Sequence, residues 1–420
     1  MRFRLLGSRM GRGFMAGPFI AALGALAVPM PSGSGGARGA LASEDSPATG
    51  PTIAILATRP GGEHTSLYLA AVGAAPADLP GPVATFNHLA GAAVRAAIVP
   101  DTDTVLAIAD VATTRDASFN ASLFKLAPHT PPERLCDDVV HGSRPLVTSS
   151  GRAFVARGLA GPADPPGKPL VYRVDQLSVD EVDLGTGATR TIHTYSGYLT
   201  FLAGSRGREV FLYRVGPAGA DLVAVDVDSG EPRVILGDMP PYARDFSIDD
   251  AAGAIVFQER HETDSATWVV DRVDLATGSR ERLHESRSMN LAPHSWPDGG
   301  VTYNPDGRAG LSILTEGLTG GLTGGLTGGA PPLHDRSAQP GGAAARALVG
   351  PLPGPLGAGV DLVLATSSDR AWIAGLHTAP GALPVPFAIS AETGRAAAVA
   401  APPGTRVTIA GFVASKAGAR

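Results

Sequence analysis

Four short turns constrain this chain more than anything else in it. Asp183-Leu-Gly-Thr-Gly187, Asp226-Val-Asp-Ser-Gly230, Asp274-Leu-Ala-Thr-Gly278 and Ser390-Ala-Glu-Thr-Gly394 each follow an apolar run and precede a second short run. A glycine that closes a hairpin turn takes positive φ at no steric cost, and a leading Asp or Ser accepts backbone N–H bonds two residues on. The glycines stand 43, 48 and 116 residues apart, and the last gap is two units of 58. Between turns the pattern is apolar strand, acidic turn, short strand, Asp-Gly turn and strand, clearest over Ala220–Leu283.

A period of about 45 residues carrying four strands is the signature of a β-propeller. Units begin near residues 52, 104, 152, 207, 253, 300 and 371. The expected fold is therefore all-β, a single propeller over 52–415 with seven four-stranded blades; six and eight are the alternatives, because 300–370 is poorly patterned. The last strand-like run, Arg406–Val413, has no followers. It is expected to pair as the inner strand of the first unit, a closure that removes exposed edges. A Gly-rich run of three tandem tetrapeptides, Gly317–Gly329, marks a flexible insertion near 316–345, and 416–420 reads as a tail. Gly 54 and Pro 36 supply the turns such a fold needs.

The N-terminus reads differently. Arg2, Arg4, Arg9 and Arg12 precede the apolar stretch Phe14–Val28, and Ala40-Leu-Ala42 offers a small-residue cleavage site. A basic region, an apolar run of about 15 residues and small residues make a signal peptide, and a membrane span needs about 20. The expectation is a signal peptide over 1–42, a linker over 43–51, and a secreted or periplasmic product with no stable membrane span after cleavage. Cleavage after Ala27 and retention as an anchor are the alternatives. The formal charge is −5, and all the charge in 1–42 is positive, so the remainder is more acidic still. An acidic chain without a basic run argues against nucleic acid as a partner. Cys136 is the single cysteine; it forms no internal disulfide and reads as a small strand residue.

Asp245-Phe-Ser-Ile-Asp-Asp-Ala-Ala-Gly-Ala-Ile-Val-Phe257 resembles the S-x-D-G-x-x-I-x-F core of the WD40-like repeats in TolB-type bacterial propellers. Ser295-Trp-Pro-Asp-Gly-Gly-Val-Thr-Tyr303 is a second, compressed copy. Two or three repeats carry the resemblance well; the first units lack the Asp-Gly turn. It implies a propeller fold. The Thr-Gly turns also resemble those of quinoprotein propellers, whose docking motif places a Trp shortly after the Gly. None follows here, so no cofactor is expected.

No motif announces catalysis. Gly-x-Ser-x-Gly and His-Glu-x-x-His are absent, and no two of the ten histidines are spaced as ligands on one strand or helix turn. No catalytic residue and no metal ligand is therefore assigned. A site on such a scaffold belongs at a mouth of the central channel, built from the loops that enter the inner strands. The candidates are Arg144, Tyr198, Tyr242, Arg244, His294 and Trp296, with Tyr242–Arg244 and His294–Trp296 read as equivalent entries in adjacent blades. They mix aromatic faces with hydrogen-bond donors, which suits a protein, a peptide or an envelope component. The reading is a noncatalytic binding scaffold; the alternative is a propeller enzyme of the lyase or lactonase type.

Overall fold

A computed structural model describes residues 50–88, 94–109, 120–140, 143–159, 176–196, 199–216, 219–240, 242–250, 252–295, 301–304, 312–314, 360–369, 371–379, 381–390 and 396–414. All lie in the compact unit Asp45–Arg420. The signal-like segment, the Gly-rich run, the turn ending in Gly394 and the tail fall outside the described residues.

The described chain is strand after antiparallel strand. In order come Thr52–Thr58 (β1), His64–Ala71 (β2) and Ala84–Asn87 (β3). Arg95–Ile98 (β4), Val105–Ala109 (β5), Asn120–Leu126 (β6) and Glu133–Val140 (β7) follow, then Leu146–Val147 (β8), Ala153–Leu159 (β9), Gln176–Val182 (β10) and Thr189–Tyr195 (β11). Leu199–Arg206 (β12), Glu209–Gly216 (β13), Gly219–Asp226 (β14) and Pro232–Met239 (β15) form one sheet; Arg244–Asp249 (β16), Ala254–Arg260 (β17), Trp268–Asp274 (β18) and Arg280–Ser286 (β19) form another. His294–Ser295 (β20), Val301–Tyr303 (β21) and Ser312–Leu314 (β22) make a three-stranded sheet. Val360–Thr366 (β23), Trp372–Thr378 (β24), Val385–Ser390 (β25) and Ala396–Ala398 (β26) make the next, and Arg406–Val413 (β27) ends the chain.

Among the described residues these strands form six hydrogen-bonded sheets, arranged as in a propeller. The eight-stranded one divides into β4–β7 and β8–β11, joined by the single pair Val139 and Arg157. Strand β27 pairs antiparallel with β1 from Thr52–Val413 to Thr58–Arg406, the ring closure that the sequence predicts. The one helical element among the described residues is the 3-10 turn Pro76–Asp78, and no helix there is long and apolar enough to cross a membrane.

The second strand of each sheet shows why sheets stack face to face. Val210, Phe211, Leu212 and Tyr213 are all fully buried. Side chains alternate across a strand. Val210 and Leu212 pack on Phe154 and Ile192 of the preceding sheet, whereas Phe211 and Tyr213 pack on Ile255 and Phe257 of the following one. A strand buried on both faces reads as a continuous apolar run, which is what the sequence shows. Similar cores lie between the sheet of β1 and that of β5, and between β24 and β1 across the closure.

The acidic turns are built as their residues dictate. Asp226 Oδ1 accepts from the backbone N–H of Asp228 at 3.0 Å and Ser229 at 2.9 Å, and Gly230 N–H donates to Asp226 O at 2.8 Å. Gly230 has φ 75°. It also meets the preceding sheet: a Cβ there would stand 2.5 Å from Ile192 O. Gly187 and Gly278 repeat both features against Leu135 O and Ile235 O. The turn glycine is thus a contact between blades as well as a backbone requirement. Cys136 sits half-buried on β7, and burial pushes its thiol up to about 11, in keeping with a packed residue.

Candidate functional site

Two buried polar side chains set the loops that enter the inner strands. Tyr213 donates its hydroxyl to Pro240 O at 2.6 Å and accepts from Ala243 N–H at 3.3 Å. One sheet on, Gln258 donates Nε2–H to Met289 O at 3.2 Å and accepts from Leu291 N–H at 2.8 Å. The loop residue fixed by Tyr213 is followed by Arg244; the one fixed by Gln258 is followed by Ala292. Register agrees: Ser247 pairs Val256 and Ser295 pairs Val301, so His294 matches Phe246. Ser295 N–H donates to Ser247 Oγ at 2.9 Å, which ties the matched positions together. The expectation that Tyr242–Arg244 and His294–Trp296 are equivalent entries is therefore corrected by four residues. Pairing with the neighbouring strand fixes position, and residue type does not.

The inner strands of five blades bring polar side chains to one place. Arg144, in the loop before β8, donates Nε–H to Ala96 O at 3.2 Å and Nη2–H to Ala410 O at 3.3 Å, so it spans β4 and β27. Burial and the neighbouring Arg95 charge both lower the Arg144 pKa. Arg95, on β4, is likewise lowered by burial, with Asp245 opposing. Burial raises Asp245, against the pull of Arg244 and Arg95. His294 accepts or donates at Nε2 to Thr366 Oγ1 of β23 at 3.1 Å, and burial, then the Arg144 charge, push it down to about 4. Arg144 and His294 each bond a neighbouring blade, on the side where the inner strands face one another. Arg144 and Asp245 keep exposed surface.

Beside the axis, the sheet β16–β19, blade five in chain order from β1, carries a stack of rings and cations. Arg260 lies 4.6 Å over the Tyr242 ring and 5.5 Å from Trp268, and Arg244 lies 4.7 Å over Trp268 from elsewhere. Arg244 also donates to Met289 O and stands 3.5 Å from Asp245 Oδ2. Gln258 holds Asp245 at 2.6 Å. Tyr242 is 38% and Met289 52% exposed, whereas Trp268 is buried. Each cation–π contact is worth about 0.5–2 kcal/mol, so the gain is chiefly a preset surface. Arg214 over Tyr195 at 5.3 Å, with Asp221 as its bidentate partner, repeats the device one blade back.

No protein-family model matches this sequence, and no curated protein does. Solved structures do resemble its fold. TolB from Acinetobacter baumannii aligns over 86% of this chain and 67% of its own, at TM-score 0.47 and 11% identity. Oligogalacturonate lyase from Vibrio parahaemolyticus aligns over 84% and 92%, at TM-score 0.46 and 11% identity. A candidate 6-phosphogluconolactonase from Bacteroides uniformis aligns over 85% and 99%, at TM-score 0.47 and 12% identity. Likeness at this level concerns the fold and carries no activity.

Of the six residues singled out from the sequence, Arg144 and His294 lie at the axis and Arg244 and Tyr242 beside it. Tyr198 and Trp296 lie outside the described residues. Sequence reasoning missed Arg95, Asp245, Gln258, Arg260 and Trp268. Arg95 was visible as a charge inside the apolar run Ala93–Val99. Among the described residues no three His, Cys, Asp or Glu side chains stand together as a metal site. A cavity of 280 Å³ between Leu383–Pro386 and Ala398–Thr405 is lined without an ionisable side chain.

Proposed function

We propose that this chain is an exported, seven-bladed, noncatalytic propeller that binds a protein, peptide or envelope component at the mouth formed beside blade five. The observation that carries the reading is the stack of Tyr242, Arg260, Trp268 and Arg244. It presents an exposed ring and an exposed Met289 on a base already ordered by hydrogen bonds and cation contacts. Rigid aromatic and arginine side chains bind at low entropic cost and dominate protein interfaces. The basic leader, the apolar run and the Ala40–Ala42 site support export to the periplasm or beyond.

The test is a pull-down from envelope extract with the tagged chain and with Tyr242→Ala. A partner held by the parent and reduced at least tenfold by Tyr242→Ala supports the reading. Equal recovery by both, or none by the parent, sinks it. A second reading, an enzyme of the lyase or lactonase type, rests on one feature: His294 stays neutral beside Arg144, which suits a proton acceptor. Turnover of a uronate polymer or a sugar lactone, abolished by His294→Gln, would favour it.

A further inference from the structure

Gln258 does more than its counterpart one blade back. Tyr213 fixes the loop that follows its sheet through Pro240 O and Ala243 N–H, and among the described residues its hydroxyl bonds nothing else. Gln258 fixes the equivalent loop through Met289 O and Leu291 N–H, and its Oε1 also accepts from Ala292 N–H at 3.3 Å. It then reaches its own inner strand, where Nε2–H donates to Asp245 Oδ2 at 2.6 Å. One fully buried amide thus ties the entry of β16 to the entry of β20. Holding the loop alone needs no bond to the inner strand, as Tyr213 shows.

Both tied places have unusual backbone. Asp245 has φ 55° and lies where the β16–β17 register shifts between Arg244 and Ser247. Such a bulge re-aims a side chain, and bulges gather beside functional sites. Ala292 has φ 42°. Among the described non-glycine residues with positive φ, it alone is neither Asp nor His, and its Cβ makes that region unfavourable. Its counterpart Arg244, in the loop before blade five, has no positive φ. Strained backbone persists where its surroundings over-determine it, and it clusters at ligand clamps. What these places carry is open to solvent. Met289 is exposed, as is Tyr242 across the Trp268 stack, and Asp245 Oδ1 takes no hydrogen bond among the described residues.

We propose that Gln258 is the positioning residue of this mouth, and that the ledge it holds takes a peptide. The peptide lays an apolar side chain against Met289 and Tyr242 and donates a backbone N–H to Asp245. The unbranched thioether of Met289 adapts to many side chains and favours aromatic ones. A carboxylate oxygen at a preset position selects for a hydrogen-bond donor. Ordering the ledge before the peptide arrives lowers the entropic cost of binding. The inference rests on the binding reading above and narrows its partner to a peptide.

The experiment selects peptides from a random dodecapeptide display library on the full chain. The affinity of one selected peptide is then measured by calorimetry, below the melting transition of every variant. Tyr242→Ala tests the mouth, Gln258→Met, Asp245→Asn and Ala292→Gly test the ledge, and Arg208→Gln on the rim is the control. Tyr242→Ala and Gln258→Met should each weaken binding at least tenfold, and Asp245→Asn about fivefold. Ala292→Gly should weaken it about threefold by loosening the ledge, although it relieves strain and melts no lower than the parent. Arg208→Gln should change nothing. A purely structural glutamine would lower the melting midpoint of Gln258→Met and leave the affinity of the folded chain unchanged, which overturns the proposal. Should Gln258→Met not fold, parental affinity in both Asp245→Asn and Ala292→Gly overturns it. Loss with Tyr242→Ala and none with the ledge variants discards the ledge and keeps the mouth. No selected peptide, or peptides indifferent to Tyr242→Ala, overturns both, and capture of an envelope polysaccharide in place of any peptide overturns the choice of partner.

Discussion

Blade five holds one cluster of charge on its outer strands and borders another at the axis, and the two are built on opposite rules. On the outer strands Glu259 and Asp271 are fully buried, and Arg280 and Arg282 meet them, with Glu262 and Glu285 adding outer contacts. Every charge there has an opposite within reach. At the axis Arg144 leans on the carbonyls of Ala96 and Ala410, and among the described residues no carboxylate stands within ion-pair reach of it or of Arg95. A matched network belongs to architecture, because it closes without help. An unmatched one is complete only when something else arrives. The comparison separates scaffold from site inside a repeat, where both use the same residue types.

The sharpest way to break this contrast is to remove one arginine from each cluster. Arg280→Met leaves Glu259 and Asp271 buried without their shared cation and is expected to cost about 3–5 kcal/mol, read by urea unfolding. The same measurement on Arg95→Gln should show no loss. Equal losses would end the distinction.

A smaller effect tests the turns. Gly230→Ala puts a Cβ 2.5 Å from Ile192 O at φ 75°, and should cost about 2–3 kcal/mol. Gly207→Ala, at φ 57° with nothing within 4 Å of the added carbon, should cost only about 1 kcal/mol. If the two are equal in thermal melts, the turn glycine is a backbone device and not a contact between blades. Below these comes Tyr213→Phe, which strips Pro240 O and Ala243 N–H of a partner for about 1–2 kcal/mol. Backbone exchange at Ala243 should rise with it and exchange at Leu291 should not.

Much of this was legible beforehand, and what was not has a physical cause. Turns repeat because each blade needs the same hairpin, so Asp226 and Gly230 announce the fold, and so does the unpaired run Arg406–Val413. The second role of Gly230, against Ile192, depends on a neighbour 38 residues away that no local pattern marks. The axis was half legible. Arg144 and His294 are conspicuous charges at strand entries, but Arg95 belongs to the group only because β4 and the loop before β8 meet across the ring. The misplaced match of His294 to Tyr242 was avoidable: the spacing of 48 between Gly230 and Gly278 puts Arg244 opposite Ala292 and Phe246 opposite His294. Looking for like residues hid a register that the period already contained.

The most discriminating test is pH, because pH moves the two clusters in opposite directions. Burial raises Glu259 from 4.5 to about 7, with Arg280 opposing and Asp271 adding to it. Between those values the folded chain holds a proton that the unfolded chain has lost, so this group lowers stability as pH rises. His294 falls from 6.5 to about 4. Between those values the unfolded chain holds the extra proton, so this group lowers stability as pH falls. From about pH 4.5 to 6.5 the two contributions oppose each other. Measured as a difference from the parent, Glu259→Gln should gain stability as pH rises through that window, and His294→Gln should gain as pH falls through it. Differences that run parallel for the two variants would show that the axis and the outer strands titrate as one system, and that the partition between them is wrong.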